Sequence, residues 1–210
     1  MTDDKIEIGV DEAGRGPLLG RVYTAAVILP KDDSFDHSKM KDSKRFTSKK
    51  KITDVAEYIK SNANAYSVTY STEAQIDETN ILKATMDSMH RSINEVLSEN
   101  VLIEIQNTHL LIDGNYFKEI YYDAETMMPI AYTCIEKGDN IYSSIAAASI
   151  LAKVSRDQYI QELCIEHPEL CERYSIHTNM GYGTKKHMDG IKEYGATPWH
   201  RLSFAPLKNN

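Results

Sequence analysis

The chain has 210 residues, 41% of them hydrophobic, and a formal net charge of -7. That apolar content suffices for one well-filled core, and without a Pro/Ser/Gly-rich linker a single domain is expected. No apolar stretch reaches the roughly 20 residues of a bilayer span, and MTDDKIEIG lacks a basic-then-apolar export signal, so a soluble, cytoplasmic protein with no membrane association is expected.

In chain order, the alternation of Ile6, Ile8 and Val10 predicts a strand over Ile6 to Asp11, and VYTAAVIL predicts a second over Val22 to Leu29. The glycine-rich turn between them makes an antiparallel hairpin. Pro30 and KDDSFDHS mark a loop, and Thr47 or Ser48 is positioned to cap a helix running to about Asn62. Ala65 to Tyr70 alternates as a third strand. Ser71 or Thr72 opens a short helical turn, and Ile81 to Glu99 has the apolar spacing of a longer helix. HLLID, ending at Asp113, has the pattern of a buried central strand, and Tyr132 to Ile135 gives a fifth. Ile141 to about Glu166 reads as a long helix whose early part, SSIAAASILAK, is small-residue and permits close approach of another element. Pro168 starts a further helical turn, RYSIHTNMGYGT is a loop, and Lys185 to Tyr194 is a short helix. This order indicates an α/β domain with a mixed sheet covered by helices.

Three cysteines, Cys134, Cys164 and Cys171, form an odd count without a CxxC pair, so neither a disulfide framework nor zinc is favoured. Cys164 and Cys171 are expected to share one helix face. The acidic total argues against a polyanionic partner, but Lys39, Lys41, Lys44, Arg45, Lys49, Lys50 and Lys51 crowd one segment, and Lys185, Lys186 and His187 another. On charge alone a lysine run is a solvated helix face, and it gains meaning only if the fold brings it to a functional site.

The acidic pair Asp11-Glu12 points to such a site. Adjacent strand residues face opposite ways, so an ion reached by both requires the chain to twist or end between them. Gly14 and Gly16 are expected to supply the freedom, with Arg15 between them placed to meet an anion. Cleavage of a phosphodiester by two divalent ions needs three or four converging carboxylates, and Asp113 before Gly114 and Asp139 before the long helix are the further candidates. Singly, Asp113 also reads as an Asp-Gly turn and Asp139 as a helix cap, while Asp157 reads as a salt-bridging residue and Asp42 as a loop carboxylate. The GxGxxxG spacing at Gly14, Gly16 and Gly20 is not a dinucleotide fingerprint. There is no GxxxxGK[ST], HExxH or nucleophile elbow around Ser149 and His177.

Taken together, the blocks GVDEAGRGPLLG, KDSKRFT, TNILKAT, LLIDGN, EKGD, SIAAASILAKVSRD, GYGTKKH and HRLSF span nearly the whole chain, and in this order it resembles ribonuclease HII, the type 2 ribonuclease H family. The resemblance implies a ribonuclease H-like fold and cleavage of RNA in RNA-DNA hybrids. It also implies incision on the 5' side of ribonucleotides embedded in duplex DNA, leaving 3'-hydroxyl and 5'-phosphate ends. It implies two divalent ions, Mg2+ or Mn2+, on Asp11, Glu12, Asp113 and Asp139. Gly14, Arg15, Gly16 and Tyr182 would read the ribonucleotide 2'-hydroxyl and the RNA-DNA junction, with Lys44, Ser149 and Lys153 as backbone contacts. A monomer without a long C-terminal extension is expected. Arg21 departs from the proline common at that position. A nuclease acting on DNA alone and a binding protein that has lost catalysis stand as alternatives.

Overall fold

The computed structural model describes residues 5–40, 46, 48–99, 104–123 and 128–209. In chain order its elements are β1 (Ile6–Ala13), β2 (Val22–Ile28), α1 (Lys49–Asn62), β3 (Ala65–Ser71), α2 (Glu73–Glu78), α3 (Ile81–Glu99) and β4 (Thr108–Asp113). They continue with β5 (Tyr121–Asp123), β6 (Met128–Pro129), β7 (Ala131–Ile135), α4 (Ser143–Glu166), α5 (Pro168–Tyr174), α6 (Ile176–Asn179) and α7 (Lys185–Tyr194).

Strand order is β3-β2-β1-β4-β7, with β1-β2 and β2-β3 antiparallel and β1-β4 and β4-β7 parallel, so the sheet is mixed as expected. The period of two sorts its side chains. Ile8, Val10, Ala26, Ile28, Leu110 and Ile112 pack with Met86, Met89, Ile93 and Val96 of α3, whereas Tyr23, Ala25 and Val27 pack with α1 and α4. The sheet is thus buried on both faces, α3 on one and α4 with α1 on the other. Buried hydroxyls stitch α3 to its face, with Thr24 Oγ1 2.8 Å from Ser88 Oγ and 3.0 Å from Thr69 Oγ1.

Local chemistry sets the boundaries. Thr72 and Gln75 form a reciprocal capping box on α2, and Asn80 Oδ1 accepts from the Lys83 N–H to open α3. Ser48 occupies the position before α1 without a side-chain cap hydrogen bond, and Thr47 lies outside the described residues. The long helix begins at Ser143 and not at Ile141. The stretch expected as a loop after Pro168 contains the end of α5 and the short helix α6. Because α4 stops at Glu166, Cys164 and Cys171 sit on successive helices and not on one face. The β5-β6 hairpin had no period strong enough to predict it. Among the described residues no helix is long and apolar enough to cross a membrane.

One close approach decides where α4 sits. Gly9 faces it, and a Cβ there would lie 2.1 Å from the Ser144 carbonyl carbon and 2.4 Å from the Ile145 nitrogen. These are backbone atoms, so the helix itself would have to retreat. We expect Gly9→Ala to destabilise the fold by about 3 kcal/mol in urea unfolding, at the upper end for overpacking, and an unchanged midpoint would contradict this contact.

Candidate active site

Pairing between β1 and β4 stops at Val10↔Ile112, while β1 runs on against β2 to Ala13↔Tyr23 and β4 against β7 to Asp113↔Ile135. Asp11 and Asp113 are therefore the first residues past the last shared rung. They sit at the carboxyl ends of two adjacent parallel strands, the place where α/β sheets bind ligands. Asp11 faces α4 and is only 5% exposed. Its Oδ1 accepts from the Glu12 N–H at 2.7 Å, and Ser149 of α4 hydrogen-bonds the same carboxyl group. Burial, then the charges of Glu12 and Asp113, push its pKa well above the usual carboxylate range, against the opposing pull of those two hydrogen bonds.

The strand neither ends between Asp11 and Glu12 nor needs to, since Glu12 and Ala13 still pair with β2. Both acids reach one cleft because β1 has lost its β4 neighbour there. Asp113 Oδ1 accepts from the Gly138 N–H at 2.7 Å, fastening the end of β4 to the helical turn Gly138–Asn140 and bringing Asp139 to the same cleft. The turn is entered through Lys137 in the left-handed region at φ 57. Asp139 does not cap α4, whose cap position is Tyr142; its Oδ1 accepts from Asn140 Nδ2 at 2.9 Å.

The cleft, of ≈ 580 Å³, is lined by all four carboxylates and by Gly14, Arg15, Gly16, Ser149, Lys153 and Tyr182. Asp42, and from the first basic cluster Lys41, Lys44 and Arg45, lie outside the described residues. Lys49 lines a second groove that shares Lys153, Asp157, Thr178 and Met180 with the cleft, so this one lysine of the first basic segment borders it. Lys185 and Lys186 line neither, and His187 is buried and is no surface cation. Lys153 Nζ pairs with Asp157 at 2.8 Å, which bears out the salt-bridging reading of Asp157.

Among the described residues no histidine or cysteine lines the cleft, so the ligand atoms it offers are oxygens, which suits a hard divalent ion such as Mg2+ or Mn2+ and not zinc. The buried acid beside two like charges asks for the same counter-ion. Among the described residues no three acidic, histidine or cysteine side chains already close on a common point. The acids are turned instead to protein donors: Glu12 Oε1 to Arg15 Nη1 at 3.3 Å, and the others to the partners given above.

Two buried arginines hold the rim. Arg201, 0% exposed, donates from Nη2 to the Gly14 carbonyl at 2.7 Å, from Nη1 to Arg15 at 3.0 Å and Pro17 at 2.8 Å, and from Nε to Gly20 at 2.8 Å. Arg156 Nη2 donates to the Met180 carbonyl at 2.9 Å, joining the loop before Tyr182 to the same centre. Peptide units are planar and trans, so carbonyls of Gly14 and Arg15 turned toward Arg201 send the N–H groups of Arg15 and Gly16 the opposite way. Among the described residues those two N–H groups have no protein acceptor. Gly14 sits at φ 94, and a Cβ on it would meet Arg156 Nε at 2.1 Å. Gly16 has no positive φ, contrary to expectation; what lies over it is the Tyr182 ring, 3.5 Å from where its Cβ would be. Tyr182 is 50% exposed and is not a core tyrosine. Arg21 is stacked between Tyr70 and Tyr159 at 4.3 and 4.5 Å to the ring centroids.

Arg156 and Arg201 were not found by sequence reasoning. Arg156 stands in a helix among apolar positions, an available signal, but Arg201 bonds to groups more than 180 residues away, which no local pattern records.

The family model for ribonuclease HII matches residues 8–207. Ribonuclease HII of Phocaeicola vulgatus is 45% identical over 204 residues, covering 97% of this chain and 91% of that protein. Among solved structures, ribonuclease H2 of Pyrococcus horikoshii superposes with a TM-score of 0.73 at 21% identity, covering 97% of this chain and 95% of that one. A Bst-RNase HIII structure in complex with Mn2+ gives a TM-score of 0.72 at 18% identity, covering 98% of this chain and 68% of that one.

Burial lowers the Arg201 pKa to about 9, with the charge of Arg156 adding to the effect, so the guanidinium remains charged at neutral pH. Lysine cannot reproduce a planar fork with donors in fixed directions. Arg201→Lys is expected to cost about 2 kcal/mol in urea unfolding, the scale of charge-assisted hydrogen bonds lost in a buried place. A change within about 0.5 kcal/mol, typical of an exposed site, would show that the fork is dispensable.

Proposed function

The chain belongs to the ribonuclease HII family and is a metal-dependent endoribonuclease acting on RNA in RNA-DNA hybrids, and from that premise we propose that Asp11, Glu12, Asp113 and Asp139 hold its divalent ions, two during turnover. We further propose that it incises on the 5' side of a ribonucleotide embedded in duplex DNA, leaving 3'-hydroxyl and 5'-phosphate ends. The observation that carries the assignment is the β1-β4 register, which sets Asp11 beside Asp113 in the cleft that Gly14, Arg15, Gly16 and Tyr182 also line.

When bound, such ions polarise a phosphoryl oxygen and make water a stronger nucleophile near neutral pH. The chain's own groups do the rest. Ser149 fixes the Asp11 carboxyl from α4, and the Gly138 N–H fixes that of Asp113, so the acids are oriented before a ligand arrives. The Arg15 and Gly16 N–H groups, turned outward by Arg201, are donors suited to a ribose 2'-hydroxyl or a phosphate oxygen, and that hydroxyl is what separates RNA from DNA. Tyr182, exposed beside Gly16, offers a ring face for the neighbouring sugar or base. Lys153, and by the family resemblance Lys44, would meet the phosphate backbone. We read the active form as a cytoplasmic monomer with a single catalytic domain.

The decisive assay is cleavage of a duplex carrying one ribonucleotide, in Mg2+ with and without chelator. Asp113→Asn is expected to lower turnover at least about a hundredfold, because it removes charge from the metal site. Near-normal cleavage by this variant would remove Asp113 from the ligand set. Tyr182→Ala is expected to cut the single-ribonucleotide duplex less well while sparing a uniform hybrid, and an equal loss on both would make Tyr182 a structural residue.

A further inference from the structure

Behind Tyr182, away from the acids, lie two histidines with solvent exposures of 0% and 1%, His187 of α7 and His200. Their Nε2 atoms are 3.0 Å apart, a contact that requires one nitrogen to carry a proton and the other to be bare. The outer nitrogens decide which. His200 Nδ1 is 2.9 Å from the Thr197 backbone nitrogen, which only donates, and 2.7 Å from Thr197 Oγ1, which can donate as well, so Nδ1 is bare and the His200 proton is on Nε2. His187 Nδ1 is 2.9 Å from the Tyr182 carbonyl oxygen, which only accepts, so it holds the His187 proton and leaves Nε2 bare. The three bonds run one way, from the Thr197 N–H through His200 and His187 to the Tyr182 carbonyl. Every polar atom of both rings is satisfied only while both are neutral, and a further proton on either would set two donors face to face.

The surroundings favour that neutral state. Burial lowers both pKa values, that of His200 to about 4 with His187 adding to the effect, and among the described residues no carboxylate acts on either ring. From α5, Tyr174 meets both rings edge-on, at 5.2 Å from His200 and 6.1 Å from His187, with its hydroxyl donating to the Gly195 carbonyl. From the first hairpin, Leu19 bridges to the His200 backbone, and the adjacent cation Arg201 is turned to the carbonyls of residues 14 to 20. On α7 itself the charged Lys185, Lys186 and Asp189 are exposed.

At the far end of this chain of bonds, Tyr182 follows Met180 and Gly181, both in the left-handed region at φ 52 and φ 83. A segment entered through two such residues needs fixing from outside. We infer that the His187–His200 pair is a proton-ordered relay that positions Tyr182, holding the backbone from which its ring overhangs Gly16. This rests on the proposed role of Tyr182 in selecting the ribonucleotide, and its histidines are positioning residues that touch no substrate.

Long-range proton-nitrogen spectra of the full chain test the relay without any substrate. We expect His187 as the Nδ1–H tautomer and His200 as the Nε2–H tautomer, both still neutral at pH 6, where a free imidazole of pKa about 6.5 is mostly charged. Opposite tautomers, or a charged ring at that pH, would overturn the relay. The positioning role is read from the ratio of cleavage rates on a single-ribonucleotide duplex and a uniform hybrid. His187→Leu removes the donor to Tyr182, whereas His187→Asn keeps one at the Nδ1 position. The leucine variant should lose about tenfold in that ratio, the scale of one buried hydrogen bond, and the asparagine variant should regain most of it. Adding His187→Leu to Tyr182→Ala should lower the ratio no further. Equal behaviour of the two variants, equal loss on both substrates, or an additive double variant would each refute positioning. If Tyr182→Ala alone leaves the ratio unchanged, the selectivity reading of Tyr182 and this positioning claim fall together, and the tautomer spectra still judge the relay.

Discussion

The register between β1 and β4 is the constraint on which the site depends. Two parallel strands pair up to Val10 and Ile112, and each then continues with a different neighbour. The next residue on each is an aspartate, so a split in the sheet and a pair of like charges occur at the same place. Burying Asp11 there raises the energy of its charged form, and neither of its hydrogen bonds cancels that penalty. The fold accepts a locally unfavourable arrangement that a proton or a bound cation relieves. Such consistency everywhere except at one point is what a functional site looks like in an otherwise well-specified chain. The small-residue start of α4 belongs to the same constraint. Gly9 lets the helix close on β1, and that approach carries Ser149 to the Asp11 carboxyl.

The rim of the cleft is organised on a different principle. Its turn buries Leu18 and Leu19 in the core, but residues 14 to 16 carry no apolar side chain and are fixed through their carbonyls, with Arg201 and Arg156 taking up oxygens from the first hairpin and from the loop before Tyr182. Two buried guanidinium groups repel each other and lose hydration, and each is retained because it satisfies several carbonyls at once. The result joins residues near both ends of the chain. It also leaves the outward face of the turn rich in donors, a backbone surface complementary to oxygen atoms irrespective of the side chains it bears.

What the sequence made legible follows the same division. Elements marked by alternation or helical spacing, β1, β3, α1 and α3, and those marked by a continuous apolar run, β2 and β4, emerge within a residue or two. The acids were legible because charged residues at the end of an apolar strand are conspicuous, although the reason both reach one cleft is the lost strand neighbour and not a twist between them. His187 was misread as part of a basic cluster because sequence adjacency to Lys185 and Lys186 says nothing about which way a helix face turns. Arg201 and His200 were recognisable as part of a motif, but their partners at residues 14 to 20 and 187 are brought close only by the finished fold. Hydrogen bonds across such separations leave no period to detect.

The two walls of the cleft therefore differ in how they are supported, and on the proposed roles this separates cutting from choosing. Asp11, Glu12 and Asp113 stand on strands of a sheet buried on both faces, where displacement is opposed by close packing, and Asp139 stands on the turn that the Gly138 N–H fastens to Asp113. Arg15, Gly16 and Tyr182 stand on loops held by a few directional bonds from the C-terminal segment and α7. Directional bonds set orientation sharply but fail individually, so loosening one shifts the reading wall while the acids stay in register. On the proposed roles, a sheet-borne centre for chemistry beside a loop-borne reader lets selectivity change through residues set back from both.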